Sequence, residues 1–139
     1  MSKRPHIFLV PGFFGFAHVG EVAYFHHVET TLKAAMAARD LDVEVVAVPT
    51  LPTAGLAQRA NRLLETIQSH AGEDEELIIV GHSTGGLDAR LLTTPGVKLN
   101  APWPVEPVAE RIKALIFLST PHRGTPVAAF FTSLIGQQL

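Results

Sequence analysis

The chain has 139 residues, of which 47% are hydrophobic and 17% charged, and its formal net charge is −2 at pH 7. This length and composition are typical of one folded domain and exclude an intrinsically disordered chain. The small net charge gives no electrostatic basis for binding nucleic acid or an anionic membrane surface. Because there is no cysteine, disulfides, thiolate catalysis and cysteine-bound metals are excluded.

The N-terminal segment does not predict a secretory signal. Met1 to His6 is basic, but the apolar run that follows, Ile7 to Val10, is stopped by Pro11-Gly12 and is shorter than the roughly 7–15 apolar residues of a signal sequence. No apolar run approaches the ~20 residues that span a bilayer. We therefore expect a cytoplasmic protein without a membrane span, unless a longer precursor carries a secretory segment upstream.

Short apolar runs and helical periodicities alternate along the chain. Four apolar runs predict strands buried on both faces: Ile7 to Val10, Val43 to Val48, Leu77 to Val80 and Ile112 to Leu118. Helical spacing of apolar residues predicts helices at about Glu21 to Arg39, Leu56 to Ile67, Gly85 to Leu92 and from Val127, and the proline-rich stretch Pro95 to Pro107 predicts a loop. The alternation predicts one α/β domain over residues 1–139, a parallel sheet of about four strands with helices on both faces.

A G-x-S-x-G pattern lies between the third strand and the helix after it, in the segment Gly81 to Gly86. A serine on such a tight strand-to-helix turn adopts a strained backbone conformation that exposes its hydroxyl above the sheet. Gly81 and Gly85 would remove side chains that clash there, and the helix would direct its first amides at the reacting centre. Ser83 is therefore the candidate nucleophile. The alternative is a glycine-rich turn with an incidental serine.

The loop after the first strand, Pro11 to Phe16, is the second candidate element. The carboxyl ends of neighbouring parallel strands face one crevice, so the backbone N–H groups of Phe13 and Thr84 would form an oxyanion hole. Phe14 and Phe16, with Phe13, would supply apolar walls for an acyl chain. The alternative is an ordinary loop whose phenylalanines pack on the core.

The third element is Ser119 to Pro126, again directly after an apolar strand. Its histidine, His122, is a candidate general base. We favour the structural interpretation, in which a loop histidine and arginine tie backbone carbonyls together.

These segments, in this order, resemble the bacterial triacylglycerol lipases and related esterases of the α/β-hydrolase superfamily. The resemblance is carried by Pro11-Gly12-Phe13, by G-H-S-x-G-G at Gly81 to Gly86, and by T-P-H-R-G-T at Thr120 to Thr125, with Asp88-Ala89-Arg90 and Tyr24-Phe25 in addition. It implies an acyl-enzyme on Ser83 and a small ester substrate, with no metal or organic cofactor. The turn residues would be Gly81, His82, Thr84, Gly85 and Gly86, and His122 would correspond to a structural loop residue.

The sequence departs from that family in one respect. The family's acid and histidine follow the serine in chain order, but no histidine follows His122 and no acidic residue follows Glu110. We therefore expect a partial α/β-hydrolase domain, either associated with a missing C-terminal portion or self-associated. A catalytically incomplete half-fold and a site completed by a residue from another chain are the alternatives, with His122 and then His18 as the chain's own candidates.

Two other residues receive structural interpretations. Asp88 is expected to be a helix-surface partner of Arg90 or of a neighbour, and not a catalytic acid. Trp103, between two prolines, is expected to anchor the loop by packing, with a role in a lid or an acyl pocket as the alternative.

Overall fold

The computed structural model describes residues 4–12, 18–49, 51 and 54–126, with side chains throughout except at 18–24. Phe13, Phe14 and Phe16 lie outside the described residues, as does the helix expected from Val127. The proposed acyl-pocket walls and the Phe13 oxyanion donor therefore remain predictions.

Within these described ranges, four strands form one sheet in which every neighbouring pair is parallel. They are β1 (His6–Val10), β2 (Glu44–Ala47), β3 (Leu77–His82) and β4 (Ile112–Leu118), in the spatial order β2-β1-β3-β4. Each strand matches a predicted apolar run to within two residues. The predicted α/β class and parallel sheet are confirmed.

In the described part of the chain, four helices connect and flank these strands. They are α1 (His18–Ala37), α2 (Leu56–His70), α3 (Gly85–Leu92) and α4 (Glu106–Arg111). The prediction of a loop as far as Pro107 was wrong at its end, because α4 begins at Glu106 and contains that proline in its first turn. A proline suits this position because the first amides of a helix have no acceptor within the helix.

The core lies in two layers, one on each face of the sheet. On one face, Ile7 and Leu9 of β1 pack with Phe25 of α1 and Val45 of β2. On the other face the buried cluster joins strand residues to α2 and α3, and includes Phe8, Val10, Val46, Leu63, Leu64, Ile67, Ile79, Ala89 and Leu92. Because both faces are covered, all five residues of β1 are buried, as expected for a central parallel strand.

The outer strand β4 is covered less completely than β1 and β3. Ile116, Phe117 and Leu118 keep 45%, 37% and 40% of their surface exposed. These residues lie at the carboxyl end of the strand, which is the edge where the loops after β1 and β3 also emerge. Among the described residues, no helix combines the length and the apolar character needed to cross a membrane.

Candidate functional site

Ser83 occupies the turn between β3 and α3, outside both elements. Its φ is 54°, in the left-handed region that side chains rarely adopt. Its backbone N–H donates a 2.8 Å hydrogen bond to the carbonyl of Leu118, which fixes the turn to the end of β4. The residue is buried, with 7% of its surface exposed, so the expectation that this turn exposes its hydroxyl above the sheet was wrong for the chain as the structure describes it. The backbone strain expected of a serine at such a turn is nevertheless present at this position.

Gly12, just after β1, lies directly against the Ser83 turn. A Cβ atom at Gly12 would lie 2.7 Å from Ser83 Cβ, 2.9 Å from the His82 carbonyl oxygen and 3.0 Å from the Thr84 backbone nitrogen. Real Cβ atoms do not approach other atoms so closely, so only a glycine permits this contact. The loop after β1 and the turn after β3 are thus brought together, as the parallel topology predicts.

Gly85 brings the first turn of α3 against the end of β1. A Cβ atom there would overlap the carbonyl oxygens of Val10 and Pro11. The expected crowding between Gly81 and Gly85 accounts for only part of this packing. Gly81 does face the start of α3, where its Cβ would overlap the backbone of Gly86. The atoms nearest to a Cβ at Gly85 belong to Val10 and Pro11, at the end of β1, and not to Gly81.

Thr84 is the N-cap residue of α3, with helical φ and ψ of −63° and −19°. Its carbonyl accepts hydrogen bonds from the N–H groups of Leu87 and Asp88, at 3.0 and 3.3 Å. The N-terminal end of α3, which carries the positive end of the helix dipole, therefore lies beside Ser83. An oxygen that gains negative charge next to Ser83 would be stabilised by this end of the helix.

Asp88 differs from its predicted position on the helix surface. It is 2% exposed, and its partner is Arg59 of α2, not Arg90. Arg59 Nη2 lies 2.9 Å from Oδ1, and Nε lies 3.1 Å from both carboxylate oxygens. Burial raises the pKa of Asp88 from 3.8 to about 6, although the hydrogen bonds and charge of Arg59 act in the opposite direction.

Arg59, like Asp88, lies on a solvent-facing side of its helix according to the sequence pattern and is largely buried in the structure. Periodicity puts it on the polar face of α2 with Arg62 and Glu65, which form an exposed ion pair at 2.9 Å. The Arg59 side chain is instead only 13% exposed. It also donates a 3.3 Å hydrogen bond from Nη1 to the Ala54 carbonyl, so it ties the start of α2 to the first turn of α3.

His122 is exposed and contacts Phe117 and Arg90. Its ring meets the Phe117 ring edge-on at a centroid distance of 4.7 Å, and its Nδ1 lies 3.4 Å from Arg90 Nη1. The expected bridging of backbone carbonyls by its side chain was wrong. The loop is held by backbone bonds, from the His122 N–H to the Thr120 carbonyl and from the Gly124 N–H to the Pro121 carbonyl, both at 3.0 Å.

The aromatic residues His82, next to Ser83, and Trp103, in the proline-rich segment, both pack against other parts of the fold. His82 is half-buried, and its ring lies 5.8 Å from that of Phe25 in α1, in an edge-on arrangement. Trp103 packs, partly buried, against the larger core cluster, so its predicted role as a loop anchor is confirmed.

Within the described ranges, no group of three or more histidine, aspartate or glutamate side chains is arranged to hold a metal ion.

Comparison with known proteins agrees with this architecture. A crystal structure of a metagenomic carboxyl esterase superposes with a TM-score of 0.58 at 20% sequence identity, covering 94% of this chain and 35% of the esterase. At this identity the likeness concerns the fold, and the chain spans about a third of the esterase's length. No curated protein sequence matches the chain.

A sequence profile of the PGAP1-like α/β domain matches residues 16–135. The match includes the Ser83 turn and the segment Thr120 to Thr125. Together with the parallel sheet and the esterase likeness, it supports membership of the α/β-hydrolase superfamily. Since the profile covers well over half of the sequence, the chain belongs to the PGAP1-like α/β domain family.

Proposed function

We propose that this protein is a serine hydrolase that cleaves carboxylic esters, as lipases and esterases do, with Ser83 as its nucleophile. The observation that carries the proposal is the geometry of the Ser83 turn. A left-handed, non-glycine residue stands between a buried strand and a helix N-terminus, with Gly12 packed against it. Strained backbone of this kind persists where the surrounding structure enforces it, often at reactive residues.

The reaction proposed for Ser83 is acyl transfer. Its Oγ attacks the ester carbonyl carbon while a base removes the hydroxyl proton, and the carbonyl electron pair moves onto oxygen. The backbone N–H groups of Thr84 and Phe13 would donate hydrogen bonds to that oxyanion, each contributing about 3–4 kcal/mol. Collapse of the intermediate expels the alcohol, which takes up the proton, and water then hydrolyses the acyl-enzyme.

The proposed reaction also needs a general base beside Ser83. A serine hydroxyl needs an adjacent base to become a good nucleophile. The chain's own candidates are His122, whose described contacts are with Phe117 and Arg90, and His18, the first residue of α1. A histidine from a C-terminal portion of the protein, or from another chain, is the other source. Ester turnover by His122→Ala at the wild-type rate would exclude the first of these.

The test of the nucleophile uses two measurements on the full chain. A fluorophosphonate probe should label Ser83 covalently, and p-nitrophenyl esters of increasing acyl length should be hydrolysed. We expect Ser83→Ala to abolish labelling and to lower kcat by 10³-fold or more. A wild-type chain with native circular dichroism that neither reacts with the probe nor hydrolyses the esters would contradict the proposal.

A second candidate function, self-association through β4, is favoured by the exposure of Ile116, Phe117 and Leu118. An outer strand with apolar side chains and free backbone groups is a template for pairing with another strand. Sedimentation across a range of protein concentrations tests this. A dimer that Ile116→Lys dissociates would support it, and a wild-type chain that stays monomeric would contradict it.

A further inference from the structure

Three non-glycine residues of the described chain have left-handed backbone conformations. They are Asp40, Ser83 and Ser119, with φ angles of 55°, 54° and 51°. This conformation is strained for a residue with a side chain, so it persists only where the surrounding structure enforces it. The Ser83 turn is the proposed reaction centre, so the other two residues remain to be explained.

Asp40 has a local explanation. It follows the C-terminal end of α1, and its N–H donates a 3.1 Å hydrogen bond to the Ala37 carbonyl, while the next N–H, of Leu41, donates to the Met36 carbonyl at 3.0 Å. A left-handed residue that closes a helix in this way is common, and aspartate tolerates it better than most residues. Asp40 is exposed, and its conformation serves the end of the helix.

Ser119 ends no helix and lies beside Ser83. In the parallel pairing of β3 with β4, His82 is opposite Leu118, so Ser83 and Ser119 are the next residues in register. The Ser83 N–H donates to the Leu118 carbonyl at 2.8 Å, which continues the strand pairing to this point. Neighbouring strands lie about 4.8 Å apart, so the two serines follow adjacent strand ends at the same edge of the sheet.

At the left-handed turn, Ser119 and the next residue, Thr120, differ in burial. Ser119 is exposed, whereas Thr120 is half-buried and its Oγ1 lies 3.5 Å from the Gly81 carbonyl oxygen. Thr120 also packs so closely on Gly86 that a Cβ atom there would overlap its side chain. The packing of Thr120 against Gly81 and Gly86 thus fixes the chain just after Ser119, and Ser119 itself is exposed at the edge where Ser83 lies.

A glycine would adopt the φ of Ser119 without strain, yet the position carries a hydroxyl group. We propose that Ser119 is a second substrate-contacting residue, whose hydroxyl hydrogen-bonds an oxygen of the ester bound at Ser83. The inference rests on the proposed function, because it needs an ester at that serine. The group remains intact through the reaction, so it positions the substrate and is neither nucleophile nor base.

The test compares three variants of the full chain: Ser119→Ala, Ser119→Gly and the control Asp40→Gly. Both glycine variants should raise Tm by about 2–5 °C, because each relieves a left-handed side-chain residue. Only the two Ser119 variants should lower kcat/KM for p-nitrophenyl esters, by roughly 3- to 10-fold, the effect of one lost neutral hydrogen bond. Rates are expressed per fluorophosphonate-titrated site, so a change in folded fraction does not enter them.

Each outcome decides the matter. A decrease in kcat/KM for both Ser119 variants, with Asp40→Gly at the wild-type value, supports the inference. Ser119 variants that keep the wild-type kcat and KM, while Ser119→Gly raises Tm, would overturn it and leave Ser119 as a structural residue. If the folded wild type neither hydrolyses esters nor reacts with the probe, the proposed function fails and the inference fails with it.

Discussion

The carboxyl and amino edges of the sheet are built from different kinds of contact. At the carboxyl edge, backbone atoms approach so closely that Gly12 and Gly85 cannot be replaced without overlap, and the charged pair nearby, Arg59 with Asp88, is largely buried. At the amino edge, charged side chains pair in solvent, as Arg4 does with Asp42 at 2.9 Å and with Glu44 at 3.1 Å.

The difference indicates where the molecule tolerates change. Exposed ion pairs contribute little to stability because water screens them and ordering the side chains costs entropy. Buried groups and tight backbone contacts have no such tolerance, because the surrounding atoms cannot move apart without loss of packing. Removing a charge at the amino edge is therefore expected to change stability little. Packing at the carboxyl edge is expected to determine whether the Ser83 turn keeps its conformation.

The largest effect on stability that we predict concerns the pH dependence caused by Asp88. Its pKa in the folded chain, raised by burial to about 6, exceeds the ordinary value of 3.8. The folded state therefore binds the proton more tightly than the unfolded state, and the stability that protonation provides is lost as pH rises from about 4 to above 6. The loss should be at most about 3 kcal/mol.

Urea unfolding of the wild type and of Asp88→Asn, between pH 4 and 7, measures this effect. The asparagine cannot ionise, so the variant should lose the part of the pH dependence that belongs to residue 88. Glu65→Gln, which removes an exposed acid of α2, is the matched control, and its curve is compared with that of Asp88→Asn. If the difference between the wild type and Asp88→Asn is constant across the pH range, Asp88 does not titrate there.

The next largest effect is expected from crowding at the carboxyl edge. Gly85→Ala places a methyl group against the carbonyl oxygens of Val10 and Pro11, which are backbone atoms and cannot rotate away. Overpacking of this kind should lower the free energy of unfolding by about 2 kcal/mol. Displacement of the first turn of α3 should also slow fluorophosphonate labelling of Ser83.

Gly72→Ala, between α2 and β3, is the control for that variant at the amino edge. A Cβ atom there would meet Glu75 Oε2 at 3.4 Å, an ordinary contact with a flexible side chain. We expect its stability to stay within about 0.5 kcal/mol of the wild type or to rise slightly. Equal effects of the two alanines would mean that the carboxyl edge is no more tightly packed than the amino edge.

The same contrast explains how much of the site could be predicted from the sequence. The turn at Ser83 could be predicted because its signal is local: an apolar strand, a glycine-serine pattern, and then a helix. The observed bounds of that helix, Gly85–Leu92, are the predicted ones. The pair of Arg59 and Asp88 spans 29 residues. Nothing in the periodicity of α2 separates Arg59, which is largely buried, from Arg62, which faces solvent.

Ser119 could not be identified as a candidate without the register between β3 and β4. In the sequence it is one serine in a loop, and its neighbour His122 has the more suggestive chemistry. Only the pairing of His82 with Leu118 and the φ angle of 51° bring Ser119 beside Ser83. Local patterns thus predict the elements and the turns, whereas contacts between distant segments decide which side chains meet.

The smallest predicted effect belongs to the amino edge. Arg4 keeps 44% of its side chain exposed, and its partners Asp42 and Glu44 keep 80% and 36%. Arg4→Ala should therefore lower the free energy of unfolding by less than about 1 kcal/mol. The loss should shrink further in 0.5 M salt because mobile ions screen exposed charges, and ester turnover should stay unchanged. A loss above 2 kcal/mol that persists in salt would show that this edge is held as rigidly as the turn at Ser83, because only a desolvated ion pair resists screening.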